Sequence, residues 1–575
     1  MTTFKNVTLS TPSLSPSQLK FRLGLVRQRT QAYPLDSMDF IMMDLERPEG
    51  HHRHAYQCTG DLTGRLLEFL SHAEGVDGHH DPRLAELFER ILRQRHPSGL
   101  FGRIIADPMI AHECFSACAR FFPGFIYYHE LTNDARALDA ALGLAENALR
   151  HKDIWRKRAK EAGGRAIELW ITEPMALMYG LTGKQEYLDF VGMINDEIEM
   201  PDKGAHAHGY MATLRGLQTA ALITGDAAWN AKPEAARRMI IERHYELPDG
   251  CTPEGFPHSG ANEGCSIADW LMLNLNSAAI AGDDAAYEHA EHILWNALAF
   301  NQWNTGCFGV RSTSPNGYSM TRFEEAWWCC LHHGGLALVE YARHAVTMRD
   351  NTIQVNFLVP GHYRVAVPGG REAEVRITTA YPASPEATIS ATGVPEGVAL
   401  RLRVPGCVKQ PAVTETRDHD RVQITLAGRL GHHVESCHGG IMLKYGPLVL
   451  APAIYGNVGY AATASESHAP KGYIPETMPQ GQPVLQLPAP DVDGLLSLSD
   501  QPWPDWMYFD EGSTSRCGVE GSAANVDVKF AAGESKTLRF TPMCYNTSCL
   551  SLFDTTFVFG GTERVPATVN LRTGT

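Results

Sequence analysis

The heptapeptide Ile223-Thr-Gly-Asp-Ala-Ala-Trp229 is the best guide to the first half of the chain, because variants of it recur. A glycine after a run of apolar periodicity is typical of a helix end, and an Asp directly after it is typical of the next helix start. The related stretches are Leu131-Thr-Asn-Asp-Ala135, Leu181-Thr-Gly-Lys-Gln-Glu-Tyr187 and Ile280-Ala-Gly-Asp-Asp-Ala-Ala-Tyr287. Each one predicts a turn between two helices.

The spacing of these turns predicts helical hairpins. Steps of 50, 42 and 57 residues separate the equivalent positions Asp134, Lys184, Asp226 and Asp283. From Leu62 to Ala345, apolar residues recur at three- and four-residue steps, so about five or six hairpins fit in this segment. Hairpins can stack as an open solenoid or close into a ring. Gly-, His- and Trp-rich inserts between them favour a closed (α/α) barrel with a pocket built from loops.

The second half alternates apolar and polar residues, which predicts strands. Val375-Arg-Ile377 and Val422-Gln-Ile424 are examples, separated by Pro and Gly turns. Residues 456 to 506 are rich in Pro, Gly, Ser and Ala, and alternation returns at Val526-Asp-Val528. We therefore predict an N-terminal segment at 1–20 that can join a β-sandwich, a barrel at 21–348, a β-sandwich at 349–455, a connection at 456–510 and a second β unit at 511–575.

Charge and composition restrict the partners. The 575 residues include 50 basic and 65 acidic side chains, a net charge of −15, without a basic run that could follow a phosphate backbone. This argues against nucleic acid and anionic membranes and favours a small molecule or an oligosaccharide. The amino terminus lacks the pattern of a secretion signal, and the 13 cysteines suit a reducing compartment. We expect a soluble, cytoplasmic protein, in which the sandwich region can mediate a homodimer.

Cysteines form the first candidate site. Cys329 and Cys330 are adjacent, and Glu263-Gly-Cys265 lies upstream. Three thiolates and a carboxylate suit a tetrahedral Zn²⁺ ion. Neighbouring side chains on a helix point about 100° apart, so both cysteines reach one ion only from a loop or a helix end, and a helix beginning near His332 would provide that end. The residues alone leave a second interpretation open, in which the cysteines are small buried hydrophobes.

Three further side chains are candidates for chemistry or binding. Glu254 lies in the loop Pro253-Glu-Gly-Phe256 and is the nearest carboxylate that could act as a general acid; a solvated loop residue is the alternative. His112 and His206 open helices that should point into the barrel, where we expect them to bind substrate. A hydrogen-bonded core histidine fits the same pattern.

Taken in order, these pieces resemble the β-L-arabinofuranosidase family, glycoside hydrolase family 127, over most of the chain. The specific part is the Glu-x-Cys of Glu263 and Cys265 followed by the Cys-Cys pair. Weaker matches accompany it: Asp61–Phe69, His96-Pro-Ser-Gly-Leu-Phe101, His112-Glu113, Leu181-Thr-Gly-Lys184, His206, Thr224-Gly-Asp226, Ala380-Tyr-Pro382, Leu402-Arg-Val-Pro-Gly406 and Tyr445-Gly-Pro-Leu-Val449.

This resemblance implies a fold, a cofactor and a mechanism. The fold would be mainly α plus β, an (α/α)6 barrel followed by two β-sandwich domains. Zn²⁺ would be bound by Glu263, Cys265, Cys329 and Cys330. The enzyme would be a retaining glycosidase in which zinc-bound Cys329 is the nucleophile. Glu254 would be the acid/base residue, since its loop is similar to the family's Gly-Glu-Ala-Phe.

The chain departs from the family at two motifs. The family's Pro-Pro-Asn after Cys-Cys is Leu331-His-His333 here, and its Gly-His-Pro-Glu is Gly163-Gly-Arg-Ala166. Arg165 suits a carboxylate, so we predict that it binds substrate and that the substrate is a β-L-arabinofuranoside-like or a modified or acidic sugar glycoside. The alternatives are a uronyl hydrolase or sugar epimerase with a structural zinc, and a sugar-binding protein without catalytic activity.

Overall fold

The computed structural model describes residues 4–46, 60–101, 112–162, 167–199, 205–256, 261–303, 305–314, 317–323, 329–437, 440–452, 483–484, 497–498, 524–530, 535–545, 555–556 and 558–559. It is a mixture of helix and sheet, as predicted. Its helices are α1 (Gln18–Thr30), α2 (Met38–Glu46), α3 (Asp61–Ala73), α4 (Arg83–Arg93), α5 (His112–Thr132), α6 (Ala135–Arg150), α7 (Lys152–Ala162), α8 (Thr172–Thr182), α9 (Gln185–Glu197), α10 (Ala207–Thr224), α11 (Ala231–Glu242), α12 (Gly264–Ala281), α13 (Asp284–His292), α14 (Ala299–Asn301) and α15 (Cys329–His344).

Six helices contact one another in cyclic order. Each of α3, α5, α8, α10, α12 and α15 contacts the next in the series, and α15 contacts α3. Nearly every residue of α10 and α12 is buried, as expected for helices covered on all sides. A second layer surrounds them: α4, α6, α9, α11 and α13 each pack on the preceding inner helix, and α1 packs on α15. In α4 only one face is buried, through Leu84, Leu87, Phe88 and Ile91.

The turns predicted from the recurring heptapeptide are confirmed. Gly183, Gly225 and Gly282 end α8, α10 and α12 with φ angles of +68°, +71° and +71°, a conformation that glycine adopts without a steric penalty. After the turns, the side chains of Asp134, Asp226 and Asp283 accept hydrogen bonds from backbone N–H groups of the next helical segment. Local sequence therefore determines where these helices stop and start.

The strands fall into two sets. Those within the helical half are β3 (Ala205–His206), β4 (Gly255–Phe256), β5 (Ala261–Glu263), β6 (Val310–Ser314) and β7 (Gly317–Phe323). The others are β1 (Thr8–Leu9), β2 (Thr11–Leu14), β8 (Val346–Arg349), β9 (Thr352–Val355), β10 (Gly361–Val367), β11 (Arg371–Thr379), β12 (Ala387–Thr392), β13 (Ala399–Leu402), β14 (Lys409–Asp418), β15 (Arg421–Arg429), β16 (His432–Cys437), β17 (Gly440–Tyr445), β18 (Leu448–Pro452), β19 (Pro483–Val484), β20 (Ser497–Leu498), β21 (Ala524–Phe530), β22 (Ser535–Pro542), β23 (Thr555–Thr556) and β24 (Val558–Phe559).

The sheets bring distant parts of the chain together. One has the order β14-β15-β12-β11-β10-β2 and another the order β1-β8-β9-β13, so the N-terminal strands β1 and β2 pair with strands of the second half. Along β10 burial alternates residue by residue, which is the pattern of a sheet with one covered face. A third sheet contains β16, β17, β18, β22, β21 and β19. Most of the predicted connection at 456–510 lies outside the described residues.

Short strands lie beside the starts of two inner helices. β3 pairs with β4 next to α10, while β5, β6 and β7 form an antiparallel sheet whose first strand runs into α12. β23, from the C-terminal part of the chain, pairs with β7. None of the helices in the described ranges combines the length and apolar character that a bilayer crossing requires.

Candidate active site

Three cysteines from two helices meet at one point. Cys265 lies in the first turn of α12, and Cys329 and Cys330 begin α15. Their sulfur atoms all lie within 4.8 Å of one another, and Cys329 Sγ is 3.9 Å from Cys330 Sγ. A tetrahedral zinc with Zn–S bonds of about 2.3 Å places sulfurs about 3.8 Å apart. The group therefore has the chemistry and spacing of a metal site. The predicted helix end is confirmed and starts at Cys329 instead of near His332.

A glycine allows the two helices to approach this closely. A Cβ atom on Gly264 would lie 2.5 Å from Phe308 Cβ and 3.1 Å from Cys330 Cβ. Only glycine fits between Glu263 and Cys265 without moving β5 away from α15. The Gly in the Glu-x-Cys motif thus has a packing reason that the sequence pattern did not reveal.

Glu263 is the last residue of β5 and the N-cap of α12. It forms a capping box with Ser266, whose Oγ lies 3.4 Å from the Glu263 backbone nitrogen, while the Glu263 side chain faces the Ser266 N–H. Its carboxylate is not part of the close group of three sulfurs. As a metal ligand it would have to leave the backbone N–H, so its role as the fourth ligand stays a prediction.

Burial controls the protonation of the thiols. It raises the pKa of Cys265 and of Cys330 well above the ordinary thiol value. These thiols therefore stay protonated at neutral pH. Arg65, fully buried on α3, interacts electrostatically with Cys265 and Cys329 and opposes this effect at Cys265 without reversing it. Its Nε donates to Asp61 Oδ2 at 2.9 Å, which fixes the guanidinium in place.

Glu254 and His206 form a pair next to the cysteines. His206 Nε2 lies 2.8 Å from Glu254 Oε1, and their side chains are 31% and 14% exposed. The backbone of Glu254 lies between two elements of the site, because its N–H donates to Ala261 O at 2.8 Å and its carbonyl accepts from Ala207 N at 2.7 Å. Oε1 of Glu254 faces His206, whereas Oε2 has no hydrogen-bond partner among the described residues. This second oxygen is thus available to a ligand.

The proton on His206 can be assigned from its contacts. Nδ1 accepts a hydrogen bond from Gly209 N–H at 3.0 Å, so the ring proton is on Nε2, facing Glu254. Burial lowers the pKa of His206, but the Glu254 carboxylate, with smaller contributions from Cys329 and Asp269, raises it above 6.5 overall. An additional proton at Nδ1 would break the cap of α10.

A second polar cluster lies one helical turn further along α12 and α15 than the cysteines. Atoms of His208, Asp269 and His333 lie within 4.8 Å of one another, a spacing that could also hold a metal. Asp269 Oδ1 accepts from Arg215 Nη1 at 2.6 Å and from His333 Nε2 at 2.9 Å, and Oδ2 contacts His208 Nδ1. These ring nitrogens carry protons, which favours a hydrogen-bonded network over a metal site.

Sequence reasoning missed this second cluster and Arg65. A readable signal existed, since Asp269 and His333 each follow a candidate cysteine by four residues and share its helix face. Two predicted substrate residues cannot be placed. Arg165 lies outside the described residues, and His112 is placed only as the first residue of α5, its side chain being outside them.

The architecture is that of solved glycoside hydrolase structures. The chain is similar to a GH127 β-arabinofuranosidase, with a TM-score of 0.68, 13% identity and coverage of 97% of this chain and 98% of that one. It is also similar to a GH127 β-L-arabinofuranosidase from Geobacillus stearothermophilus T6, with a TM-score of 0.66, 13% identity and coverage of 95% and 99%. A third similar structure is described as a glycoside hydrolase. Its TM-score is 0.64 and its identity 15%, with coverage of 97% of this chain and 98% of that one.

The resemblance inferred from the motifs is therefore confirmed at the level of the fold. No protein-family model matches the sequence, and no curated protein matches it. The similarity is visible in three dimensions and in a few short motifs only.

Proposed function

We propose that this protein is a retaining glycoside hydrolase with Cys329 as its nucleophile and Glu254 as its acid/base residue. The observation that supports this most directly is the group of three buried sulfurs beside the His206–Glu254 pair, in a fold shared with β-L-arabinofuranosidases. We interpret the closed ring of six helices and its outer layer as an (α/α)6 barrel at 21–348, followed by sandwich units at 349–455 and 511–575.

The cofactor of this proposal is zinc. Cys265, Cys329 and Cys330 would hold it, with Glu263 as the fourth ligand, and the 3.9 Å separation of two sulfurs suits that ion. Bound zinc would keep the cysteine sulfurs ionised near neutral pH, which burial alone opposes.

The reaction would proceed in two displacements at the anomeric carbon. In the first, Cys329 Sγ forms a bond to this carbon, the bond to the leaving oxygen breaks, and Glu254 gives its proton to that oxygen. In the second, water attacks the same carbon, the carbon–sulfur bond breaks, and Glu254 takes a proton from the water. Two inversions give net retention.

His206 would position the Glu254 carboxyl group for its acid/base role. Its Nδ1 accepts from Gly209 N–H, so its Nε2–H faces Glu254. Its Nε2–H then stabilises the carboxylate that remains after the proton has been transferred. His206 is therefore bound to the acid/base residue and can also contact the sugar.

The substrate would be a β-L-arabinofuranoside-like or a modified or acidic sugar glycoside. The proposed binding residues are His112, His206 and Arg165. Arg165 is the reason for proposing a carboxylate on the substrate. A cytoplasmic location, the absence of nucleic-acid and membrane partners, and a homodimer also remain predictions.

Metal content and turnover test this function together. Elemental analysis should find about one zinc per chain. A panel of nitrophenyl furanosides, pyranosides and uronides should show turnover that falls at least ~100-fold in Cys329→Ser and in Glu254→Gln. Cys407→Ser, in the sheet region, is the matched control and should keep full activity. Zinc-free protein, or activity that survives Cys329→Ser, would contradict the proposal.

A further inference from the structure

Asp269 lies at a point where three helices of the site, α10, α12 and α15, are in contact. It follows Cys265 by four residues on α12, and His333 follows Cys329 by four residues on α15. Residues four apart share a helix face, so both lie one turn inside the cysteines. His208 follows His206 by two residues at the start of α10. The two helices that carry the cysteines, α12 and α15, and the helix that His206 caps, α10, thus converge on one buried carboxylate.

The contacts of Asp269 join all three helices. Arg215 and His208 approach from α10 and His333 from α15, while Asp269 itself belongs to α12. The Asp269 side chain is fully buried, and these donors occupy both of its oxygens. His333 is also one of the positions at which this chain departs from the Pro-Pro-Asn of the resembled family.

The hydrogen-bond directions in the network are fixed. His208 Nε2 lies 3.0 Å from Arg120 Nη2, which can only donate. The proton of His208 is therefore on Nδ1 and points to Asp269. Burial lowers the pKa of His208 well below its ordinary value and that of His333 to about 4, so both rings are neutral donors at neutral pH.

We propose that Asp269 is the positioning residue of the thiolate centre, holding α10, α12 and α15 in the one register that brings the three sulfurs together. This inference rests on the proposed metal–thiolate function. A preassembled ligand set binds its metal more tightly than one that must be ordered first, because the ordering cost has already been met in folding. Asp269 would act through the helices that carry the sulfurs and not as a metal ligand.

Asp269→Asn tests the proposal with little change in shape. One orientation of the amide keeps an oxygen for Arg215 and His333 but turns an NH₂ towards His208, whose proton cannot move because of Arg120. The other orientation turns the NH₂ towards Arg215, which is always a donor. One of the links to α10 must therefore break.

The measurement is a Co²⁺ titration of the reduced, metal-free full-length chain, since tetrahedral Co²⁺–thiolate sites have a characteristic absorption. We expect at least tenfold weaker binding and weaker tetrahedral bands in Asp269→Asn. Glu340→Gln is the matched control. Glu340 on α15 also contacts a His and an Arg, namely His72 of α3 and Arg343 of α15, but it lies about 16 Å along the helix from Cys329. It should bind Co²⁺ like wild type even if its unfolding temperature falls.

Two substitutions at His208 decide the question if Asp269→Asn does not fold. His208→Asn keeps a donor at the Nδ1 position and should retain Co²⁺ affinity, whereas His208→Gln keeps only the acceptor for Arg120 and should lose at least tenfold. Wild-type affinity in Asp269→Asn or His208→Gln would overturn this inference and leave the proposed function standing. Wild-type protein without a thiolate spectrum would overturn both. Two Co²⁺ per chain, reduced to one in Asp269→Asn, would identify a second metal site instead.

Discussion

His206 shows how a single side chain can serve folding and chemistry through its two ring nitrogens. Nδ1 caps α10 by accepting from Gly209, and Nε2 faces Glu254. The first contact fixes the tautomer, and the tautomer directs the Nε2–H towards Glu254. A capping residue with only one polar atom could not couple the two roles. The acid/base behaviour of Glu254 should therefore depend on the residue that begins the neighbouring helix.

The pH dependence of turnover should reveal this coupling. Because the pKa of His206 is raised in the folded state, the protonated pair stabilises the fold fully below about pH 6.5, and that contribution is lost as pH rises through the folded value. The alkaline limb of kcat/KM should follow the same loss of a proton. In His206→Asn the side-chain oxygen can still cap α10, but the imidazole whose pKa is raised is gone. We expect the alkaline limb that reports its proton to disappear. An unchanged profile would separate His206 from the acid/base step.

At the scale of elements, the site depends on how closely β5 and α12 approach the start of α15. Gly264 makes this contact possible, because Phe308 and Cys330 occupy the space that a Cβ atom would need. The short strands β5, β6 and β7 then hold Glu263 at the helix N-terminus. Gly264 and the cysteines belong to the first turns of two ring helices, whereas the strands do not belong to the ring. The site thus combines helix starts with short added strands.

Gly264→Ala should damage the site more than the fold. The added Cβ would lie 2.5 Å from Phe308 Cβ, which cannot rotate away, so we expect about 1–3 kcal/mol of destabilisation and a loss of zinc after dialysis. Gly192→Ala on α9 is the matched control. Its Cβ would meet Trp229 only at 3.5 Å, and the change should stabilise the protein by roughly 0.5–1 kcal/mol. Chemical denaturation and elemental analysis measure both effects, and a fully metal-loaded Gly264→Ala would refute this account.

Local sequence predicted the helices well and their cross-contacts poorly. Glycine and aspartate at the turns act within a few residues, so Gly225 and Asp226 could be interpreted directly. Strands such as β3 and β4 have two residues each, which is too short for any periodicity to be recognised. The grouping of Cys265 with Cys329 came from the metal-binding chemistry of the residue types, and the resemblance to a family strengthened it. The contacts of Asp269 with His208 and His333 depend on helix packing, and no spacing along the chain encodes that packing uniquely.

At the scale of the whole molecule, two of the weak sheet-region motifs are docking points between the halves. In Leu402-Arg-Val-Pro-Gly406, Arg403 donates to Asn356 O at 2.6 Å and to Glu291 Oε2 on α13 at 2.9 Å. In Tyr445-Gly-Pro-Leu-Val449, the backbone contacts the Asn296 side chain, which accepts from Val449 N at 2.8 Å. These motifs therefore secure the sheets against the helices instead of forming part of the catalytic site.

Two arginines that join the same sheet to the same helix provide a matched test. Arg403 and Glu291 are each 2% exposed, whereas the side chains of Arg401 and Asp284 are 55% and 41% exposed. Arg403→Met leaves Glu291 buried without its partner and should cost about 3–5 kcal/mol in free energy of unfolding. Arg401→Met should cost less than about 1 kcal/mol. Urea denaturation followed by helical circular dichroism measures both, and equal effects would contradict the docking role of Arg403.

The pairing of β23 with β7 has a consequence for the order of events during synthesis. Thr555–Thr556 completes the small sheet whose first strand leads into α12, yet the ribosome makes these residues long after it has made Cys265 and Cys330. Strands β1 and β2 likewise can pair only after β8 and β10 have been synthesised. The three thiols are thus exposed on a growing chain before their surroundings are finished. For the proposed zinc site, metal delivery and the choice of the correct ion would belong to the period after β23 has paired with β7.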